Sequence, residues 1–336
     1  MGLFLSSAAN MHDTKCHFNG TLLINVLPSL LGVEFVLGSL ANGLALWIFC
    51  CHLKPWKSST VLIFNLAVAD FLLITVLPLR ASYYYARLTW RFGEAMCNIC
   101  LFMLAMNRTG STVFLMAIAG DRYMRVVHPH HPINSLSVPK AACAALGLWL
   151  ITIAMTAHVF SLEHANTTYC ESFMVDTEPH HNLSWHKFVF LFSFLVPLVM
   201  ILYCTVCIVS KLRRGQLGQH AKIKKALWLL MVVVVLFTIC FFPSNLMQVL
   251  IWIKTHKYAD LPVSEFCPAL EGVTNGFFLS ISLTYFNSVL DPIIYYFSSP
   301  AIQNLFRKTF HLPQTDTAES TERRTRETGS LSLSQL

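Results

Sequence analysis

Apolar residues in this chain fall into blocks too long for the helices or strands of an ordinary soluble domain. Seven such stretches run Ile24–Phe49, Thr60–Tyr84, Ala95–Ile118, Ala141–Phe160, Phe188–Val209, Ala226–Ile253 and Gly272–Phe297. Each is near or above the ~20 residues that a helix needs to cross a bilayer. Helices are expected because each satisfies its own backbone groups inside lipid. The polar connections between blocks carry the charge. The pattern therefore predicts an all-α membrane protein, a bundle of seven transmembrane helices.

Composition agrees. The chain is 55% hydrophobic and 12% charged, about half the charge of a soluble domain. Positive residues set an orientation. Lys54 and Lys57 separate spans one and two, and Arg122, Arg125 and Lys140 separate three and four. Lys211, Arg213, Arg214, Lys222, Lys224 and Lys225 separate five and six. Those loops and the C-terminus are expected in the cytoplasm, with the N-terminus outside. The first apolar stretch lacks a basic leader, so span one is expected to act as signal anchor.

Arg108 stands out chemically. It lies in an apolar run, Leu101 to Ile118, and at ~1.5 Å rise per residue it sits roughly 20 Å from Asp121-Arg122-Tyr123. An unpaired arginine at that depth costs several kcal/mol. An anionic ligand or an internal carboxylate, Asp70 or Glu34, is expected to meet it.

Three sequons, Asn19-Gly20-Thr21, Asn166-Thr167-Thr168 and Asn182-Leu183-Ser184, all fall on the outside and are expected glycosylation sites. Asn107-Arg108-Thr109 matches by chance within a span. Of eleven cysteines, Cys16, Cys97, Cys170 and Cys267 lie outside, an oxidising compartment that admits two disulfides. Most of the others read as small apolar packing residues. His128-Pro129-His130-His131 lacks the acid or cysteine partner of a metal site and reads as loop. Tyr83-Tyr84-Tyr85, Trp90 and Phe92 read as interfacial belt and loop packing, with a share at a ligand entrance. Ile302, Leu305, Phe306 and Phe310 beside Arg307 and Lys308 make an amphipathic surface helix. The tail beyond is Ser/Thr-rich and expected to be disordered. The predicted organisation is an extracellular segment 1–23, a transmembrane domain 24–297, a surface helix 298–311 and a cytoplasmic tail 312–336.

Ordered motifs carry a resemblance. They are Gly38-x-x-x-Asn42, Leu66-Ala67-x-x-Asp70, Asp121-Arg122-Tyr123, Trp149, Pro197, Cys240-Phe241-Phe242-Pro243 and Asn287-x-x-x-Asp291-Pro292-x-x-Tyr295. With these the chain resembles the rhodopsin-like (class A) G-protein-coupled receptors across residues 20–311. The resemblance implies a sodium pocket of Asp70, Ser111, Asn287 and Asp291, and no other cofactor. It implies that Asp121 restrains Arg122 until activation, and that Tyr123, Phe241, Pro243, Pro292 and Tyr295 belong to the switch, since prolines free backbone groups where a span bends. It also implies the disulfide Cys97–Cys170, which leaves Cys16 and Cys267 as the second pair. Heterotrimeric G protein, arrestin and receptor kinases are the implied partners, with no nucleic acid.

Longer segments resemble the hydroxycarboxylic acid receptors and the neighbouring oxoeicosanoid receptor: Phe64–Leu73, Leu104–Arg108, Val126–His131, Cys170–Phe173 and Tyr295–Pro300. In that group the span-three arginine anchors a carboxylate, which implies that role for Arg108. Ser172, Phe173 and Tyr285 become its ligand neighbours, and Phe102 an apolar wall. Inhibitory Gi/o coupling that lowers cyclic AMP is implied too. Three positions depart from these patterns: Phe241 replaces a usual tryptophan, Thr205 a usual tyrosine, and Gln248 an arginine of some relatives. Arg80 is a candidate substitute for that arginine. The expected function is a plasma-membrane receptor for a monocarboxylate, with an oxidised fatty acid as the alternative ligand. A carboxylate transporter is disfavoured by seven unequal spans without a repeat. An enzyme is disfavoured because Ser111 has no histidine in its span and no zinc motif occurs.

Overall fold

The computed structural model describes residues 16, 21–161, 169–171, 185–214, 220–298 and 300–309. Among the described residues eight α-helices follow in order: α1 Thr21–Trp47, α2 Ser58–Tyr85, α3 Gly93–Val127, α4 Val138–Thr156, α5 Trp185–Arg214, α6 His220–Lys257, α7 Val263–Ser298 and α8 Pro300–Thr309. Seven of them are long and apolar enough to cross a membrane, matching the seven predicted blocks. α8 is the short helix expected after span seven. Several helices outrun their apolar blocks. α3 begins at Gly93 and continues to Val127, and α7 begins at Val263, because a helix continues into the interface until backbone chemistry stops it.

The chemistry of those stops is visible at both ends of α2. Lys57 is extended at its start. At its end the amide of Leu88 donates to the carbonyl of Tyr83 and that of Arg87 to Tyr84, the paired bonds of a Schellman stop. Arg87 takes the left-handed conformation there, with φ 53°, where glycine is usual. That costs on the order of 1 kcal/mol and turns the chain so that Trp90 is buried beneath it.

The helices hide their polar side chains from lipid. Val33, Val36, Leu40, Leu146, Leu150, Val199 and Val206 are among the large exposed apolar residues, an arrangement suited to acyl chains and a liability in water. Asn42, Asp70, Asn107, Thr112, Asn287 and Asp291 are buried. α1 reaches α7 through Asn42, whose amide donates to the Ser288 carbonyl at 2.7 Å. α2 reaches α4 through Trp149 Nε1, which donates to Asn65 at 2.8 Å. Two apolar clusters fill the bundle: one gathers around Leu73, Leu101, Phe266 and Phe277, the other around Leu66, Phe114, Phe237 and Tyr295. The first carries the cavity.

Candidate functional site

Arg108 and Tyr285 line one cavity, enclosed by Leu101, Leu104 and Ala105 of α3, Phe190 of α5, and Phe277, Phe278, Ile281 and Thr284 of α7. Arg80, Tyr84 and Glu171 complete the wall. Arg108 is only 8% exposed. Its Cζ lies 3.6 Å from the ring centroid of Phe190 and 5.6 Å from that of Phe241, close enough for both rings to attract the cation. Nη1 donates to Ser244 Oγ at 3.2 Å. Nε and Nη2 are buried and unpartnered. Those two nitrogens form one edge of the guanidinium, the planar fork that matches a carboxylate.

Neither internal partner considered from the sequence reaches Arg108. Asp70 is committed elsewhere, and no ion pair to Arg108 occurs among the described residues. Glu34 is fully buried in α1, and both of its carboxyl oxygens are without a hydrogen-bond partner.

Arg80 differs. Its Nη2 lies 3.0 and 2.9 Å from the two Glu171 oxygens, and Nη1 donates to the Cys170 carbonyl at 2.7 Å. Tyr84 Oη donates to Glu171 at 3.0 Å. Both partners of the ion pair are about 4% exposed. Burial pushes the Glu171 carboxyl above its ordinary range, while Arg80 and Tyr84 pull it back. Arg80 thus borders the cavity with its charge already matched. No local pattern marks Glu171, because the pairing brings a residue outside the spans against α2. The disulfide Cys97–Cys170 ties its chain neighbour to α3, and Cys16–Cys267 ties the N-terminal segment to α7. Both pairings agree with the sequence reading.

Phe102 is not part of the cavity lining and packs on Phe160, centroids 4.7 Å apart. Ser172, Phe173 and the three sequon asparagines Asn19, Asn166 and Asn182 lie outside the described residues. Gln248 is buried with Oε1 unpartnered.

A second polar centre lies deeper in the bundle. Asp70 Oδ1 accepts from Ser111 at 3.2 Å, Ser288 at 2.8 Å and Asn107 at 3.3 Å. Its Oδ2 accepts from the Tyr295 hydroxyl. Asn287 donates to Asp291 at 2.8 Å, leaving Asn287 Oδ1 and Asp291 Oδ1 buried without partners. Two carboxylates and orphaned oxygens suit a hard cation. Asn107 and Ser288 were not foreseen. Tyr295 turns to Asp70, and Thr205, which replaces the usual tyrosine of span five, donates only to its own helix at Ile201.

Near the C-terminal end of α3 Asp121 holds two arginines. Arg125 Nε lies 2.9 and 3.0 Å from its oxygens, while Arg122 stands 3.4 Å away. Ser59 donates to Asp121 at 2.8 Å and Arg125 to Ser58 at 2.9 Å. In α6 Phe241 packs on Phe237, ring centroids 4.9 Å apart and tilted by 31°. Pro243 and Pro292 lie inside α6 and α7.

Seven crossing helices, an eighth along the end of the seventh and a polar centre on Asp70 define a rhodopsin-type receptor. Residues 41–295 match the family described as 7 transmembrane receptor (rhodopsin family), and the chain belongs to that family of G-protein-coupled receptors. Among known proteins it is 46% identical over 295 residues to human hydroxycarboxylic acid receptor 2, covering 87% of this chain and 79% of that one. It is 42% identical over 298 residues to human hydroxycarboxylic acid receptor 1, covering 87% and 82%. It is 43% identical over 290 residues to human oxoeicosanoid receptor 1, covering 85% and 72%. The chain is a multi-pass membrane receptor of this group and not an enzyme.

Proposed function

We propose that this receptor detects a monocarboxylate of the hydroxycarboxylic acid type and that Arg108 anchors it. The observation that carries this reading is the unpartnered Nε–Nη2 edge of a buried arginine lining the cavity. A carboxylate seated there restores two charge-assisted hydrogen bonds and neutralises a cation in a low-dielectric site. Tyr285 and Thr284 supply hydroxyls for a polar substituent, and Leu101, Leu104, Phe190 and Phe277 enclose the hydrocarbon part. A ligand that prefers the active arrangement shifts the population by its differential affinity.

The receptor works at the plasma membrane with its N-terminus outside and couples to Gi/o, lowering cyclic AMP. The basic inner loops support the orientation. The Ser/Thr-rich tail serves kinases and arrestin. Asp70, Ser111, Asn287 and Asp291 hold an allosteric sodium ion, and the orphaned oxygens of Asn287 and Asp291 support that reading. Sodium would have to replace Tyr295 on Asp70.

Agonist-driven nucleotide exchange on a co-expressed Gi or Go, and the fall in cyclic AMP, test this reading. Hydroxy acids should activate and their methyl esters should not. If only long oxidised fatty acids activate, the hydroxycarboxylic reading gives way to the eicosanoid one.

A further inference from the structure

Two guanidiniums and one carboxylate share the wall of a single cavity. Arg80, Arg108 and Glu171 all line it. Glu171 is spent on Arg80, with both oxygens within 3.0 Å of one guanidinium nitrogen and a third bond from Tyr84. Its neighbour Cys170 is cross-linked to α3 and also accepts from Arg80 through its carbonyl. The carboxylate is therefore held where it is. Arg108 has no comparable partner among the described residues. Two positive charges against one negative leave a single uncompensated positive charge.

We propose that Glu171 is a built-in carboxylate that occupies Arg80 and so restricts the receptor to ligands bearing one carboxylate. The inference rests on the carboxylate reading above and adds a specificity residue to it. A monoanion on Arg108 completes the charge balance of the cavity. A dianion brings a second carboxylate to a wall where, among the described residues, the other cation is already matched. Uncompensated charge in a buried site is costly, and the cost falls on the wrong ligand. Neutralising Glu171 while keeping its shape makes Arg80 available to a second carboxylate.

The test uses the full-length receptor in membranes, read by agonist-stimulated nucleotide exchange with surface expression measured in parallel. The probes are straight-chain monocarboxylates, α,ω-dicarboxylates over a range of lengths, and the mono-methyl esters of those diacids. The wild type should answer diacids at least about tenfold more weakly than monoacids or half-esters. Glu171→Gln should raise diacid potency by about tenfold or more relative to monoacids. Combining Glu171→Gln with Arg80→Met should remove that gain, because the second cation is gone. Equal wild-type potency for diacids and monoacids, or a surface-expressed Glu171→Gln receptor without the gain, overturns the proposal. Should the variants not reach the surface, the wild type decides: esterifying one end of a diacid must raise its potency, and an unchanged potency overturns the proposal. A wild type silent to every acid ends the carboxylate reading itself, a failure distinct from that of Glu171.

Discussion

Arg125 grips Asp121 more closely than Arg122 does: its Nε lies 2.9 and 3.0 Å from the carboxylate oxygens, against 3.4 Å for Arg122. Asp121 is thus shared, and Arg125 competes for the carboxylate that also meets Arg122. Basal nucleotide exchange should respond in opposite directions. Asp121→Asn releases both arginines and raises it. Arg125→Gln leaves Asp121 to Arg122 and lowers it. Partly exposed ion pairs are worth about 1 kcal/mol or less, so each change should stay within roughly fivefold. Equal signs in the two variants would refute the competition.

Arg108→Ala should reach the surface near normally, because the side chain pairs with no described carboxylate that its loss would strand. Response to carboxylates should fall by about thirtyfold or more, the scale of a buried charge-assisted pair. Arg108→Lys keeps the charge without the planar fork and should lose part of the potency. Dose-response curves normalised to surface receptor check both. Unchanged potency in Arg108→Ala ends the carboxylate reading.

Sodium should lower agonist affinity in the wild type and have no effect in Asp70→Asn. Tyr295→Phe removes the hydroxyl that donates to Asp70 and should strengthen the sodium effect. Agonist competition binding with sodium exchanged for a large organic cation measures this. A sodium response that survives in Asp70→Asn excludes the ion from that centre.

The two disulfides should differ in consequence. Cys97–Cys170 anchors the loop that carries Glu171, so Cys97→Ser should abolish surface binding. Cys16–Cys267 ties the N-terminal segment to α7, so Cys16→Ser should mainly weaken the ligand response. Radioligand binding on intact cells separates the two. Equal loss in both variants would show that the outer tie is needed for folding.

Much of this was legible in the sequence, and the remainder was not for a consistent reason. Block length and polar spacing decide helices in lipid, so all seven spans could be read directly. Arg108 was legible because a lone cation in an apolar run is costly wherever the helix packs. Glu171, Asn107 and Ser288 were missed because their roles depend on which helix or loop faces them. Glu171 reaches Arg80 across 91 positions of chain, and no local pattern records that return. Arg125 is a different case: it stands four residues after Asp121 in α3, a helical spacing that the chain itself records, and only the added contacts from Ser58 and Ser59 of α2 depend on packing.

The ring of Phe190 lies 3.6 Å from Arg108 Cζ and has a stereochemical consequence. A ring at that distance keeps a ligand from that side of the cation, and Ser244 accepts from Nη1. A ligand head is left to approach in the guanidinium plane, along the remaining edge. A flat head with two coplanar oxygens lies in that slot. A tetrahedral sulfonate or phosphonate of equal charge projects an extra oxygen toward the aromatic ring. The receptor should therefore sort anions by the geometry of the acid group, preferring an acid to its sulfonate analogue even where charge and chain length are the same.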